Sequence, residues 1–85
     1  MNQLAISLAG HDKGSVYVIV DEADGRICLA DGRTKTLQKP KRKNPSHVQR
    51  ICHLPDEVVR ELEKASQDSD LVHVLRLYQN YQRKQ

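Results

Sequence analysis

The sequence predicts a small antiparallel β-barrel or open sheet, followed by a pair of short helices. Apolar residues alternate with polar or small ones in the first third of the chain, and two Asp-Gly pairs mark tight turns. After residue 54 the apolar spacing becomes helical. The 85 residues suffice for one domain, which at this size buries only about 60% of its unfolded surface and has little core for a deep active-site cavity.

The first strand is predicted from the alternation of Leu4, Ile6 and Leu8 with smaller residues, which indicates one buried face. Gly10 and Gly14 bound a turn after it, and their main expected role is to form that turn.

Residues 15–22 give the strongest strand signal, because they are rich in β-branched side chains. Three valines face one way, while Tyr17 and Ile19 face the other. Since both faces are apolar, each must be covered by another part of the protein.

Asp24-Gly25 predicts a hairpin turn that leads into a third strand at residues 26–30. On this strand Ile27 and Leu29 share one face and Cys28 lies on the other. Short turns of this kind connect antiparallel strands, because parallel strands need long crossovers.

A second Asp-Gly pair ends at Gly32 and leads into a predicted fourth strand at residues 33–38. Leu37 is its only large apolar residue, so this strand is expected at a sheet edge. Residues 39–45 are too basic, and too closely bounded by prolines, to form a central strand.

The predicted first helix starts near Pro55, followed by two acids that suit a helix N-terminus. Asp68 or Ser69 is the predicted cap of a second helix. We expect both helices to pack over the face of Tyr17, Ile19 and Cys28, or on a partner. The predicted division is a barrel at residues 1–52, with its basic segment at 33–50, and a helical extension at residues 53–85.

Charge is unevenly distributed along the chain, although the net charge is only +3. Asp31 and Asp56 bound a stretch without any acidic residue, and this stretch holds half of the lysines and arginines. Such segregation is unfavourable by self-repulsion unless a polyanion compensates it.

Residues 10–32 resemble a KOW motif. The glycine turn at 10–14, the hydrophobic stretch ending in aspartate at 18–21 and the returning strand and turn at 29–32 carry the resemblance. The basic run and His-aliphatic pair at 41–48 are similar to those of archaeal and eukaryotic large-subunit ribosomal proteins and of short bacterial KOW proteins. The likeness covers residues 4–50, and the helices lie outside it.

The resemblance implies an SH3-like barrel that docks on structured RNA, often ribosomal RNA. KOW domains also bind proteins, as in transcription elongation factors. The alternative function is therefore a protein-interaction adaptor, which binds a transcription or translation factor through the barrel or the helices.

The candidate RNA-binding residues are mostly cations, because lysine and arginine neutralise phosphates and release counterions. They are Lys13, Arg33, Lys35, Lys39, Lys41, Arg42, Lys43 and His47. For His47, a packed and hydrogen-bonded role is equally open. Since only Tyr17 supplies an aromatic ring in the β-half, we expect recognition of RNA shape and backbone with little base specificity.

Catalysis and metal binding have little support in the sequence. Cys52 and His53 are adjacent but lack a third orienting group, and the spacing of the cysteines and histidines matches no zinc pattern. No cofactor motif is present. Two cysteines without disulfide spacing, and no apolar run of membrane-spanning length, predict a cytoplasmic protein without a membrane partner.

Overall fold

The computed structural model describes residues 3–84, which form a five-stranded antiparallel sheet followed by two α-helices. The elements are β1 (Gln3–Ser7), β2 (Val16–Ala23), β3 (Arg26–Ala30), β4 (Lys41–Lys43), a 3-10 turn (Pro45–His47), β5 (Val48–Ile51), α1 (Asp56–Lys64) and α2 (Asp68–Arg83). A sheet followed by two helices is what the sequence predicts.

The strand order in the sheet is β4-β3-β2-β1-β5. The first strand is therefore internal, with Leu4 opposite Val18 on β2 and opposite Ile51 on β5. The 3-10 turn connects β4 to β5 along the chain. Because β5 pairs with β1 and not with β4, the strands β4 and β5 form the two edges of the sheet.

The hairpin of β2 and β3 lies where the sequence predicts it, and β3 has the predicted bounds. Asp24 and Gly25 both have positive φ, 52° and 72°, which is the backbone geometry that suits a two-residue hairpin turn.

The fourth strand was predicted at residues 33–38, and this is wrong. These residues belong to a loop without strand structure, residues 31–40, which we call the basic loop. The carboxylate of Asp31 accepts hydrogen bonds from the backbone N–H groups of Arg33 and Lys35, both at 2.9 Å. Because this local turn takes up those donors, the segment does not join the ladder, and β4 forms at the edge further along.

Apolar side chains form two clusters, one on each face of the sheet. The first joins Leu4, Val18 and Ala30 to residues of both helices, namely Val58, Leu62, Leu71, Val74 and Tyr78. The helices and the sheet thus share this core.

The second cluster lies on the opposite face and contains side chains from four strands: Ala5, Tyr17, Ile19, Ile27, Leu29 and Val48. Among residues 3–84, no helical residue belongs to it. The prediction that the helices cover Tyr17, Ile19 and Cys28 is therefore wrong. Leu29 pairs with Ile19 across the hairpin, so Leu29, and not Cys28, shares the face of Ile19.

Strand β1 is covered on both faces, whereas the alternation predicted one buried face. Leu4 belongs to the helix-facing cluster and Ala5 to the other. Leu8 lies beyond the strand end and is 42% exposed.

Helix α2 is capped differently from the prediction. Its N-cap residue is Gln67, which forms a capping box with Asp70. Asp68 instead accepts a hydrogen bond of 2.8 Å from the backbone N–H of Leu37 and so holds the basic loop. Neither helix of the described residues is long and apolar enough to cross a membrane.

Candidate nucleic-acid interface

The turn between β1 and β2 is organised around the carboxylate of Asp12. It accepts hydrogen bonds from the hydroxyls of Ser7 and Tyr17, both at 2.9 Å. It also pairs with the ammonium groups of Lys41 at 3.2 Å and Lys43 at 3.1 Å. We call these five residues the Asp12 cluster.

Strand β4 supplies the two lysines of this cluster because alternate residues of a strand face the same side. Lys41 lies opposite Leu29 and Lys43 lies opposite Ile27, while Arg42 between them lies opposite Cys28. The β4 edge therefore sends two lysines toward the Asp12 turn and one arginine to the other side.

Lys43 is a buried residue, with 8% of its surface exposed. Its ammonium donates a hydrogen bond of 2.8 Å to the carbonyl of Ala9 in addition to its ion pair with Asp12. The sequence predicted Lys43 as a phosphate contact; in the structure its ammonium lies inside the Asp12 cluster. Lys41 keeps 35% of its side chain exposed and can still meet a ligand from the cluster.

The cluster perturbs the pKa values of its two acidic groups. Burial by itself raises the pKa of Asp12, but hydrogen bonds from Tyr17, Lys43, Ser7 and Lys41 outweigh it and hold that pKa well below its usual range. Burial, together with the hydrogen bond to the ionised Asp12, raises the pKa of Tyr17 to about 12. Asp12 is therefore a fixed anion at neutral pH, neutralised by its lysines.

The remaining predicted cations lie on the protein surface. Lys13, Arg33, Lys39 and Arg42 are exposed, and Lys35 is half-buried. Within residues 3–84 none of these five forms a salt bridge. They come from the β1–β2 turn, the basic loop and the β4 edge.

Lys39 and Arg42 line a shared open groove of about 600 Å³ together with Leu37 and Pro40 of the same stretch. Asp21 is the acidic residue of this groove. The two cations thus flank one concave surface beside the β4 edge.

His47 ends the 3-10 turn and is exposed. Its backbone N–H donates to Asn44, and its carbonyl accepts a hydrogen bond of 2.8 Å from Leu8. The backbone of His47 thus fixes the turn, and the ring remains accessible to a ligand.

Arg50, at the end of the basic segment, lies on β5, and other side chains of the protein bind its guanidinium. Its guanidinium pairs with Glu22 and donates a hydrogen bond of 2.7 Å to the side-chain oxygen of Gln3. This hydrogen-bonded pairing raises the pKa of Arg50 and lowers the pKa of Glu22.

All four predicted turn glycines have positive φ: Gly10, Gly14, Gly25 and Gly32. Gly32 has a further constraint, since a Cβ built on it would lie 2.2 Å from the carbonyl oxygen of Asp68. This glycine lets the basic loop approach the start of α2.

Asp12 is the residue of the site that sequence reasoning missed. Its partners on β4 are about thirty positions away, and only the strand register brings them together. A local signal existed nonetheless: Tyr17 and Ser7 each lie five residues from Asp12, across a turn bounded by glycines.

The cysteines are not paired, with Cys28 buried and Cys52 exposed. Over residues 3–84, no group of three or more His, Cys, Asp and Glu side chains is arranged to hold a metal ion. No protein-family model matches the chain, and no curated protein matches its sequence.

Proposed function

We propose that this chain is a non-catalytic, cytoplasmic RNA-binding protein, ribosomal or ribosome-associated, that holds structured RNA through its phosphates. One observation carries the proposal: a set of cations from the β1–β2 turn, the basic loop and the β4 edge has no salt-bridge partner within residues 3–84. The set consists of Lys13, Arg33, Lys35, Lys39 and Arg42. We call it the cationic set.

The Asp12 cluster explains how a carboxylate can lie within such a surface. Two lysines neutralise Asp12, and its oxygens are occupied by hydroxyl and ammonium donors. An approaching phosphate therefore meets little repulsion from this acid.

We also propose that the sheet is an SH3-like barrel of the KOW type. The second apolar cluster supports this, because side chains of β1, β2, β3 and β5 gather on one face without a helix to cover them. A sheet buries such a cluster by curving around it. The antiparallel order with β1 between β2 and β5 suits the same barrel.

Binding to a folded ribosomal RNA fragment across a salt series tests the function. Each phosphate contact that is lost should reduce the magnitude of the negative slope of log affinity against log salt by about 0.7–0.9. A triple variant, Arg33→Gln, Lys39→Gln and Arg42→Gln, should therefore have a slope smaller in magnitude by about 2–3 than that of the unaltered protein.

A control variant removes the same charge from the helices and the residue that follows α2, through Arg60→Gln, Arg83→Gln and Lys84→Gln, three exposed positions outside the cationic set. Its slope should differ from that of the unaltered protein by no more than the value of one phosphate contact, about 0.7–0.9. Equal slopes for the two triple variants would show that only net charge matters and would contradict the proposal.

Co-sedimentation with ribosomal subunits tests the cellular context. The unaltered protein should pellet with a subunit at low salt, and the Arg33, Lys39 and Arg42 variant should remain in the supernatant. If both pellet equally, and the variant loses a protein partner instead, the adaptor function replaces RNA binding.

A further inference from the structure

A second open groove, of about 520 Å³, separates helix α2 from two loops of the sheet. Gly14 and Ser15, just before β2, form one side, and the basic loop forms another through Arg33. Its volume lies within the range of about 300–1,000 Å³ that small-ligand sites occupy. We call it the α2 groove.

Two arginines line the α2 groove from different elements. Arg33 belongs to the basic loop and Arg76 to α2, and both are exposed. Neither has a salt-bridge partner in the part of the chain that the structure describes. The groove therefore attracts an anion from both of these sides.

The other helical side chains of the groove provide an apolar surface and amides. Val72 and Leu75 are half-buried, while Gln79 and Gln82 are exposed. An amide both donates and accepts hydrogen bonds, so Gln79 can meet the polar edge of a base, while the Gln82 amide donates a hydrogen bond of 3.2 Å to the hydroxyl of Tyr78.

Asp31 also lines the groove, and its carboxylate is largely occupied within the basic loop. It accepts bonds from the N–H groups of Arg33 and Lys35 at 2.9 Å and from the hydroxyl of Thr34 at 3.1 Å. Although burial alone would raise the pKa of Asp31, these bonds lower it. Asp31 thus fixes the backbone of the loop, while Arg33 and Arg76 provide the positive charge that a ligand contacts.

We infer that the α2 groove receives one unstacked nucleotide of a bound RNA, with Arg33 and Arg76 on its phosphate or base face and Gln79 at its base edge. Guanidinium planes stack on bases as aromatic rings do, which suits a chain with only three tyrosines and no other aromatic residue except histidine. The inference rests on the proposed RNA-binding function. It adds that α2 takes part, and that a bulge or loop is preferred over a continuous duplex.

The preference follows from geometry, since a base stacked inside a duplex cannot enter a groove on the protein surface. A single site of this kind discriminates by the presence of an unstacked nucleotide, with modest dependence on which base it is.

Two RNA hairpins of equal length, each closed by a non-nucleotide linker in place of a loop, one fully paired and one with a single bulged nucleotide, test the inference by direct titration. The unaltered protein should bind the bulged hairpin about tenfold more tightly. Arg76→Gln and Gln79→Ala should each reduce this ratio by at least about threefold while leaving binding to the paired hairpin within about twofold. Arg60→Gln on α1, outside the groove, is the matched control and should keep the ratio.

Salt-sensitive binding of both hairpins with equal affinity would overturn the inference and leave the proposed function standing. A bulge preference that survives in Arg76→Gln and Gln79→Ala would also overturn it. If neither hairpin is bound at low salt, the proposed function fails, and the inference fails with it.

Discussion

The ammonium of Lys43 lies 3.1 Å from Oδ1 of Asp12, and this contact joins the edge strand β4 to the β1–β2 turn. Only 8% of the Lys43 side chain and 14% of the Asp12 side chain are exposed. Removing one partner of such a pair leaves the other charge buried and unpaired, which is much more costly than the pair itself is stabilising. The contact therefore specifies how this edge of the sheet is arranged.

Asp12→Asn should destabilise the protein by about 3 kcal/mol, because Lys43 keeps its charge and loses its counterion. Urea unfolding followed by circular dichroism measures this. Glu63→Gln, an exposed acid on α1, is the control and should change stability by less than about 0.5 kcal/mol. Similar losses of unfolding free energy in both variants would mean that the Asp12 carboxylate stabilises the fold no more than an exposed acid does.

Acid should weaken the protein through the same carboxylate. The pKa of Asp12 is lower in the folded state than in the unfolded chain, so its contribution is fully present above the unfolded pKa of about 4. It is lost as the pH falls below that value toward the folded pKa. Unfolding free energies between about pH 6 and pH 3 should therefore fall more steeply in the unaltered protein than in Asp12→Asn. Parallel curves would refute this coupling.

Tyr17 should ionise unusually late. Its folded pKa of about 12 lies above the ordinary tyrosine pKa of 10.0, so its contribution to stability is complete below pH 10.0 and is lost as the pH rises toward 12. Tyrosinate absorbance should show a step near pH 12 that is missing in Tyr17→Phe. A difference between the two titrations centred near pH 10.0 would argue against the hydrogen bond to Asp12.

Gly32→Ala should be far more harmful than Gly25→Ala, although both positions have positive φ, 81° and 72°. At Gly25 the added Cβ meets no atom within 4 Å, so only backbone strain of about 1–2 kcal/mol applies. At Gly32 the Cβ collides with the carbonyl of Asp68, adding about 2 kcal/mol or more. Thermal or urea unfolding of the two variants compares them, and equal losses would show that the loop can move away from α2.

Arg42 and Lys43 are sequence neighbours that should respond oppositely to mutation. Arg42→Gln should lower the salt slope of RNA binding by about 0.7–0.9 and leave stability within about 0.5 kcal/mol. Lys43→Met should cost about 1–2 kcal/mol of stability, less than Asp12→Asn because Asp12 keeps Lys41 as a counterion, and should leave the salt slope unchanged once the protein is folded. RNA titrations and urea unfolding on both variants decide it, and a reduced slope in Lys43→Met would restore Lys43 as a phosphate contact.

The parts of the fold predicted from sequence are those with a local cause. Val16–Ala23 and Arg26–Ala30 are β-rich segments joined by Asp24-Gly25, and each of these signals lies within a few residues. The helix start at Asp56 follows Pro55 in the same local way.

The features of the fold and the site that could not be predicted from the sequence depend on contacts between residues far apart in the chain. Lys41–Lys43 forms the edge strand in place of the predicted one. The preceding loop does not pair because its backbone N–H groups donate to the carboxylates of Asp31 and Asp68. The difference in burial between Lys43 and Arg42 is likewise set by which residue of β3 each one faces. From their charge alone, these two side chains are equivalent candidates for a phosphate contact.

The basic loop is hydrogen-bonded along its length: Asp31 holds the N–H groups of Arg33 and Lys35, the hydroxyl of Thr36 accepts from Lys39, and Asp68 accepts from Leu37. Its backbone has therefore already lost most of its conformational entropy before a ligand arrives. A backbone fixed in this way leaves less order to be imposed on binding. Under the proposed function, the loop would therefore favour RNAs whose phosphates are spaced to match the backbone positions of its arginine and lysines.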